Sequence, residues 1–283
     1  MKRITLQREK IHSGSLILVN REYGYQGQQE RSGEKNRGGY PKREESELTP
    51  VLESEPGVLM QRRAAVLLFH LMERINGWQG IVPVSGWRSG KEQEEIWESS
   101  LKENGREFTE TWVAYPGHSE HQTGLAIDLG RKQEKVDFIR PDFPDTGICQ
   151  TFRTRAVEYG FIRRYPKGKE AVTGIGFEPW HFRYVGIPHA RIMEREDMTL
   201  EEYTRFVREF PYGERPCIFS VEGQEFSVSF LRGPGKNGAE PDGMERGGAV
   251  EIEIDDAHPY WISGNNVDGF VITQERSRYG YQA

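Results

Sequence analysis

Ser119-Glu120-His121-Gln122-Thr123-Gly124-Leu125-Ala126-Ile127-Asp128 is the stretch whose reading decides the fold. It carries an imidazole, His121, and a carboxylate, Asp128, with the small residues Gly124 and Ala126 between them. Leu125-Ala126-Ile127 reads as a short buried strand entered through a glycine, which delivers both side chains from rigid backbone. An aspartate at the end of an apolar strand is costly unless something cationic meets it. Downstream, Glu178-Pro179-Trp180-His181 supplies a second imidazole and a second carboxylate. Two histidines and one aspartate make a three-ligand set for a catalytic zinc, with the fourth position open to water. On this reading His121, Asp128 and His181 hold the metal, and Glu178 acts as a base on that water.

His118 and His121 form a competing His-x-x-His pair. His118 lies in a Pro116-Gly117 loop, whereas His181 arrives together with a candidate base, so His181 is preferred as third ligand.

Working outward, Ile81-Val82-Pro83-Val84 reads as a strand leading to Ser85-Gly86-Trp87-Arg88, followed by a helix over 91–102. Arg88 therefore sits between a strand and a helix. Upstream, Pro56 is expected to open a helix whose apolar face is Leu59, Arg63, Val66, Phe69 and Ile75, with Leu68 and Met72. Gly77 and Gly80 end it, and His70 is read as a packed or edge residue. Ser15 to Asn20 has the composition of a strand, and 25–50 that of a mobile polar surface loop. After Gly130 a charged loop to about Gly147 is expected to border the cleft. A helix from about Cys149 to Tyr159 ends at Gly160. Strands follow at Phe161-Ile162 and 174–177, and then Glu178. Phe182 and Tyr184 alternate out of a strand that leaves His181 and Arg183 on its other face. His189 is taken as structural or exposed.

Thr199-Leu200-Glu201-Glu202 has the capping-box form and predicts a helix to about Phe210. Short strands are expected at 217–221, 225–231, 250–254 and 269–273, separated by Gly223, by a Gly/Pro stretch over 233–248 and by Gly264-Asn265-Asn266. The fold class is α+β. An antiparallel sheet with helices packed on one side occupies residues 1–210, and a small β module occupies 211–283, without a metal set of its own.

Composition narrows the function. A net charge of −6 argues against a nucleic-acid partner, because no basic stripe exists to neutralise phosphates. The cysteines, Cys149 and Cys217, suit free thiols in a reducing compartment. No stretch has the length and hydropathy of a signal peptide or a membrane span, so a cytoplasmic location is expected.

The pattern Ser119-x-His121-x-x-Gly124-x-Ala126-x-Asp128, followed by Glu178-Pro179-Trp180-His181, resembles the D,D-peptidases of vancomycin resistance. This is the VanX, VanY and VanXY group within the LAS zinc peptidases. Ser85-Gly86-Trp87-Arg88-Ser89 with Gln93, Ser100 to Gly105, Tyr159 to Pro166 and His181 to Gly186 are similar to the same family. The likeness covers roughly residues 12–205 and is to the VanXY type in particular. Trp87 departs from the pattern, since many relatives carry tyrosine there.

The resemblance implies zinc held by His121, Asp128 and His181, with Glu178 as catalytic base. It implies Arg88 as stabiliser of the oxyanion, and Gln93, Ser119 and Trp180 on the substrate side. The implied substrates are D-alanyl-D-alanine, as free dipeptide and as the end of the muramyl-pentapeptide precursor. The alternatives are a phage-type cell-wall endopeptidase whose last residues bind the wall, and a zinc-holding protein without chemistry. The presence of Glu178 and Arg88 speaks against the latter.

Overall fold

The computed structural model describes residues 1–27, 48–234 and 248–276. Most of the polar segment expected over 25–50, and of the Gly/Pro stretch over 233–248, lies outside the described residues. The chain forms two compact units, Val19–Ala190 on the one hand and Met1–Leu18 with Arg191–Ala283 on the other. The sequence placed the division at residue 210 instead. Backbone pairing explains the difference, because the first strand, β1 (Lys2–Gln7), runs antiparallel to Ala249–Ile254 from the far end of the chain. A long-range ladder of this kind leaves no local mark in sequence.

Among the described residues of the unit Val19–Ala190, β2 (Leu48–Pro50) pairs with β3 (Leu59–Gln61). Helix α1 (Arg62–Ile75) follows and is closed by Asn76 in a left-handed conformation, φ 53°. Its buried face is Ala64, Ala65, Leu68, Leu71 and Met72, one helical stripe. The expected face was rotated from this one: Val66 and Phe69 are 45% and 42% exposed. The cause is the start point. Pro56 lies in a turn and Leu59 in β3, so neither belongs to the helix from which the stripe was counted.

Strand β4 (Ile81–Ser85) leads into α2 (Gly90–Trp112), whose start is fixed by a Ser89/Glu92 capping box. The helix runs ten residues past its expected end at Lys102 and is interrupted at Gly105, φ 80° and ψ 174°. Then come β5 (Ala126–Arg131), α3 (Gly147–Arg155), β6 (Phe161–Tyr165), the short α4 (Glu170–Thr173), β7 (Glu178–Tyr184) and α5 (Ile187–Arg195). The main sheet has the order β4-β5-β7-β6 and is antiparallel throughout. Pro83 sits on the edge strand β4 at a register shift, where a missing N–H does least harm. Phe182 on β7 packs against Phe143 and Phe152 of the α3 side at ring distances of 5.4 and 4.8 Å. The opposite face of β7 carries His181 and Arg183, as the alternation required. Residues 174–177, expected as a strand, form none, and β6 pairs with β7 directly.

In the other unit, α6 (Leu200–Phe206) starts at Thr199 with both halves of its capping box formed. Strands β8 (Cys217–Val221), β9 (Gln224–Arg232), β11 (Tyr260–Gly264) and β12 (Gly269–Arg276) make an antiparallel sheet in the order β11-β12-β9-β8. β10 (Ala249–Ile254) is the partner of β1. Leu6, Ile11, Val250, Ile252, Ile254, Phe270 and Ile272 form their common core. The segment Ser15 to Asn20 is buried at Leu16, Ile17, Leu18 and Val19 but is not a strand. Its Leu18 N–H donates to the Asn265 carbonyl, a loop contact in place of a ladder. Both cysteines are free thiols. Among the described residues no helix is long and apolar enough to cross a membrane.

Candidate metal centre and active site

The centre is assembled across three neighbouring strands. Asp128 on β5 stands opposite His181 on β7 and opposite Ser85 on β4. His121 comes from the turn Glu120–Thr123 just before β5, which Gly124 ends at φ 70°. That left-handed conformation is one glycine adopts without a steric penalty. Gly86 lets the chain pass close to β3, since a Cβ there would lie 2.2 Å from the Leu59 carbonyl oxygen.

His121, Asp128 and His181 are all buried, and one ligand atom from each lies within 4.8 Å of the others. His121 Nδ1 is 2.6 Å from the Gly86 carbonyl oxygen. A carbonyl only accepts, so Nδ1 carries the proton and Nε2 presents a lone pair. That Nε2 faces Asp128 Oδ2 at 3.1 Å. Burial, seconded by Arg88, pushes the pKa of the His121 ring down, so a neutral ring sets lone pair against carboxylate. A cation between them turns this repulsion into two bonds. The donor set therefore fits a metal ion, with nitrogen and oxygen ligands of the kind zinc takes.

His181 Nδ1 lies 2.9 Å from Asp128 Oδ1. Burial opposes a charged ring there, but Asp128 outweighs it and moves the His181 pKa up to about 9. Asp128 shows the converse: burial favours its neutral form, and the protonated His181 ring at 2.9 Å overrules it, holding it well below the usual carboxylate range. A metal must displace the proton of His181 to use Nδ1.

Glu178 Oε2 is 3.6 Å from His181 Nδ1. Burial first, with Asp128 adding to it against His181, pushes the Glu178 carboxyl up to about 8. A carboxyl near neutrality is suited to taking a proton and giving it back. Arg88 donates from Nε to Ser85 Oγ at 2.9 Å, from Nη1 to Gln93 Oε1 at 3.4 Å and from Nη2 to Asp128 Oδ2 at 3.1 Å. Gln93 is buried, and its Nε2 also donates to the Ala114 carbonyl at 2.8 Å. Its amide is thus engaged by Arg88 and by backbone, and the residue also borders the cleft. Ser119 and Trp180 line the cleft, and Trp180 stacks at 6.2 Å from Trp112. His118 stands apart from the cluster, with Nδ1 2.6 Å from the Asn20 carbonyl.

The cleft in front of these groups has a volume of about 520 Å³ and is bounded also by Phe138 and Ile139 of the charged loop. Sequence reasoning missed Glu120, which is fully buried with Arg164 and Arg183 beside the centre. Its neighbour His121 drew the attention, and a lone Glu in a polar-looking run carries no sign of burial.

A buried His/Asp/His cluster with a glutamate beside it, set on an antiparallel sheet, defines a metallopeptidase class. The chain matches the VanY family, D-alanyl-D-alanine carboxypeptidase, over residues 59–187. It is 30% identical to a D-alanyl-D-alanine carboxypeptidase of Enterococcus faecium over 95% of this chain and 78% of that protein. The chain belongs to this family. Within it, residues of this chain are 54% identical to the bifunctional D-Ala-D-Ala dipeptidase and D-Ala-D-Ala carboxypeptidase VanXYC of Enterococcus gallinarum. That match spans 42% of this chain and 64% of the E. gallinarum protein. The crystal structure of the vancomycin resistance D,D-dipeptidase VanXYg, in complex with a D-Ala-D-Ala phosphinate analogue, superposes with a TM-score of 0.82. The two chains are 42% identical, over 97% of this one and 99% of the other.

Proposed function

We propose that this chain is a zinc D,D-peptidase that hydrolyses D-alanyl-D-alanine, both as free dipeptide and at the end of the muramyl-pentapeptide precursor, in glycopeptide resistance. The observation that supports it is the meeting of His121 Nε2, Asp128 and His181 Nδ1 on one face of the sheet, beside Glu178 and Arg88. His121, Asp128 and His181 would hold the ion; when bound, it supplies a Lewis acid that activates water and polarises the scissile carbonyl.

Glu178 takes the proton of the attacking water and delivers it to the leaving amine of the terminal D-alanine. The Arg88 guanidinium presents a planar fork of donors to the oxyanion that develops on the carbonyl. Ser85 and Gln93 hold that fork in place from two sides. Ser119 offers a hydroxyl to the substrate carboxylate, and Trp180 with Trp112 forms an apolar wall for the D-alanine methyl groups. The volume of about 520 Å³ suits an extended peptide as well as a dipeptide. Cytoplasmic action belongs to the same proposal, and the two free thiols, which suit a reducing compartment, support it.

The test is to incubate zinc-loaded protein with D-Ala-D-Ala and with the pentapeptide precursor and to identify the products. Release of single D-alanine from both is expected. Cleavage inside the stem peptide, with no D-alanine released, would replace this reading with that of a cell-wall endopeptidase.

A further inference from the structure

His181 has two ring nitrogens, and they face different partners. Nδ1 meets Asp128, while Nε2 points to Glu120 Oε2 at 3.7 Å. Neither Nε2 nor Oε2 has a hydrogen-bond partner among the described residues, although both are buried. The second oxygen of Glu120 is differently placed. Oε1 accepts from Arg164 Nε at 2.8 Å and from Arg183 Nη1 at 2.7 Å, and all three side chains are fully buried. A carboxylate between two guanidiniums stays ionised, so Oε2 is purely an acceptor. An acceptor facing a ring nitrogen favours the tautomer in which that nitrogen carries the proton.

We propose that Glu120 is a positioning residue for the metal centre: its Oε2 takes the Nε2–H of His181 and so leaves Nδ1 as the metal-binding atom. Arg164 and Arg183 anchor the carboxylate in that role. The inference rests on the metal reading of His121, Asp128 and His181 given above. A movement of about 0.5–1 Å brings the 3.7 Å separation to ordinary hydrogen-bond length. The parts are supplied by the elements that build the centre. Glu120 directly precedes His121, Arg183 follows His181 on the same face of β7, and Arg164 lies on the adjacent strand β6. A merely structural ion cluster has no reason to aim its one free oxygen at a ligand histidine.

The test has two arms. In wild-type protein labelled with ring-¹⁵N histidine and loaded with zinc, NMR should show His181 with Nε2 protonated and Nδ1 bound. In Glu120→Gln the two guanidiniums retain the amide oxygen, so an NH₂ group faces Nε2 and the required tautomer loses its acceptor. Zinc affinity, measured by chelator competition on folded variant, should fall about 10- to 100-fold. An unprotonated His181 Nε2 in the zinc-loaded wild type overturns the inference, and that arm needs no variant to fold. Unchanged zinc affinity in a folded Glu120→Gln protein overturns it equally. A wild-type protein that binds no zinc removes the metal reading itself, a result distinct from either.

Discussion

Asp128 and His181 are register partners on adjacent antiparallel strands, and their side chains meet at 2.9 Å. Ser85 pairs with Asp128 from the other side. The centre is therefore a row across the sheet, and its spacing is inherited from strand pairing. A one-residue slip of β7 would turn His181 into the Phe143/Phe152 core and bring Phe182 into the cleft. The core contacts of Phe182 thus protect the register on which the site depends.

The ligand assignment has a direct consequence. On the proposed ligand set, His121→Ala or His181→Ala takes away one of three donors and should release the metal. His118→Ala should keep it, because His118 is engaged with the Asn20 carbonyl outside the cluster. Metal content of dialysed variants, measured by elemental analysis, decides this. Full occupancy in His121→Ala combined with loss in His118→Ala would reverse the assignment.

Catalysis and metal binding should separate at Glu178. Glu178→Gln is nearly the same shape and should retain metal while losing about a hundredfold or more in kcat. Arg88→Lys keeps the charge but not the fork that spans Ser85, Gln93 and Asp128, and should lose about a hundredfold as well. Steady-state kinetics on D-Ala-D-Ala with matched metal content would check both. Turnover near wild type in Glu178→Gln would place the base elsewhere.

The site was more legible in sequence than the fold around it. His121, Asp128, Glu178 and His181 were marked as candidates by residue type and by the apolar strand between the first two, and the structure brings these four side chains together. The Thr199 cap carried local hydrogen-bond logic that the structure repeats, whereas the Ser89/Glu92 box that starts α2 was not read from the sequence. What stayed hidden depended on distant partners. β1 needs β10, and Glu120 becomes a buried ion only because Arg164 and Arg183 arrive from other strands. The buried face of α1 was misplaced for a smaller reason, a start point set at Pro56 when the helix begins at Arg62. β11 was missed because Tyr260 to Gly264 carries a serine and a glycine, which weaken the alternation a strand should show.

His189 provides a pH signature remote from catalysis. Burial pushes its pKa down to about 3, so the folded chain holds it neutral. In the unfolded chain the ring has an ordinary pKa of about 6.5. Between those values the unfolded state binds the extra proton, so stability falls as pH falls below about 6.5 and the loss levels off near 3. The slope from this one group is at most about 1.4 kcal/mol per pH unit. Urea denaturation from pH 7 to pH 4 should show a steeper decline for wild type than for His189→Gln. Parallel curves would mean that the ring is protonated in the folded chain.

The last expectation concerns where the chain can be cut. All the candidate site residues lie before Phe210, and the sequence alone suggests that a chain ending there is self-sufficient. The structure argues otherwise for the N-terminal segment. Such a truncation removes β10, the partner of β1, and with it Val250, Ile252, Ile254, Phe270 and Ile272 from around Leu6 and Ile11. Exposing two large aliphatic side chains costs about 1.5–3 kcal/mol each. The backbone bond from the Phe230 N–H to the Phe210 carbonyl is lost as well. A chain of residues 1–210 should therefore show early proteolytic cleavage near its N-terminus and a lower Tm than the full chain. His121, Asp128, His181 and Glu178 remain within Val19–Ala190, so the folded fraction should still bind metal. Limited proteolysis with mass spectrometry, read alongside metal content, checks both halves. A protease-resistant N-terminus in the truncated chain would show that β1 is held by something other than β10.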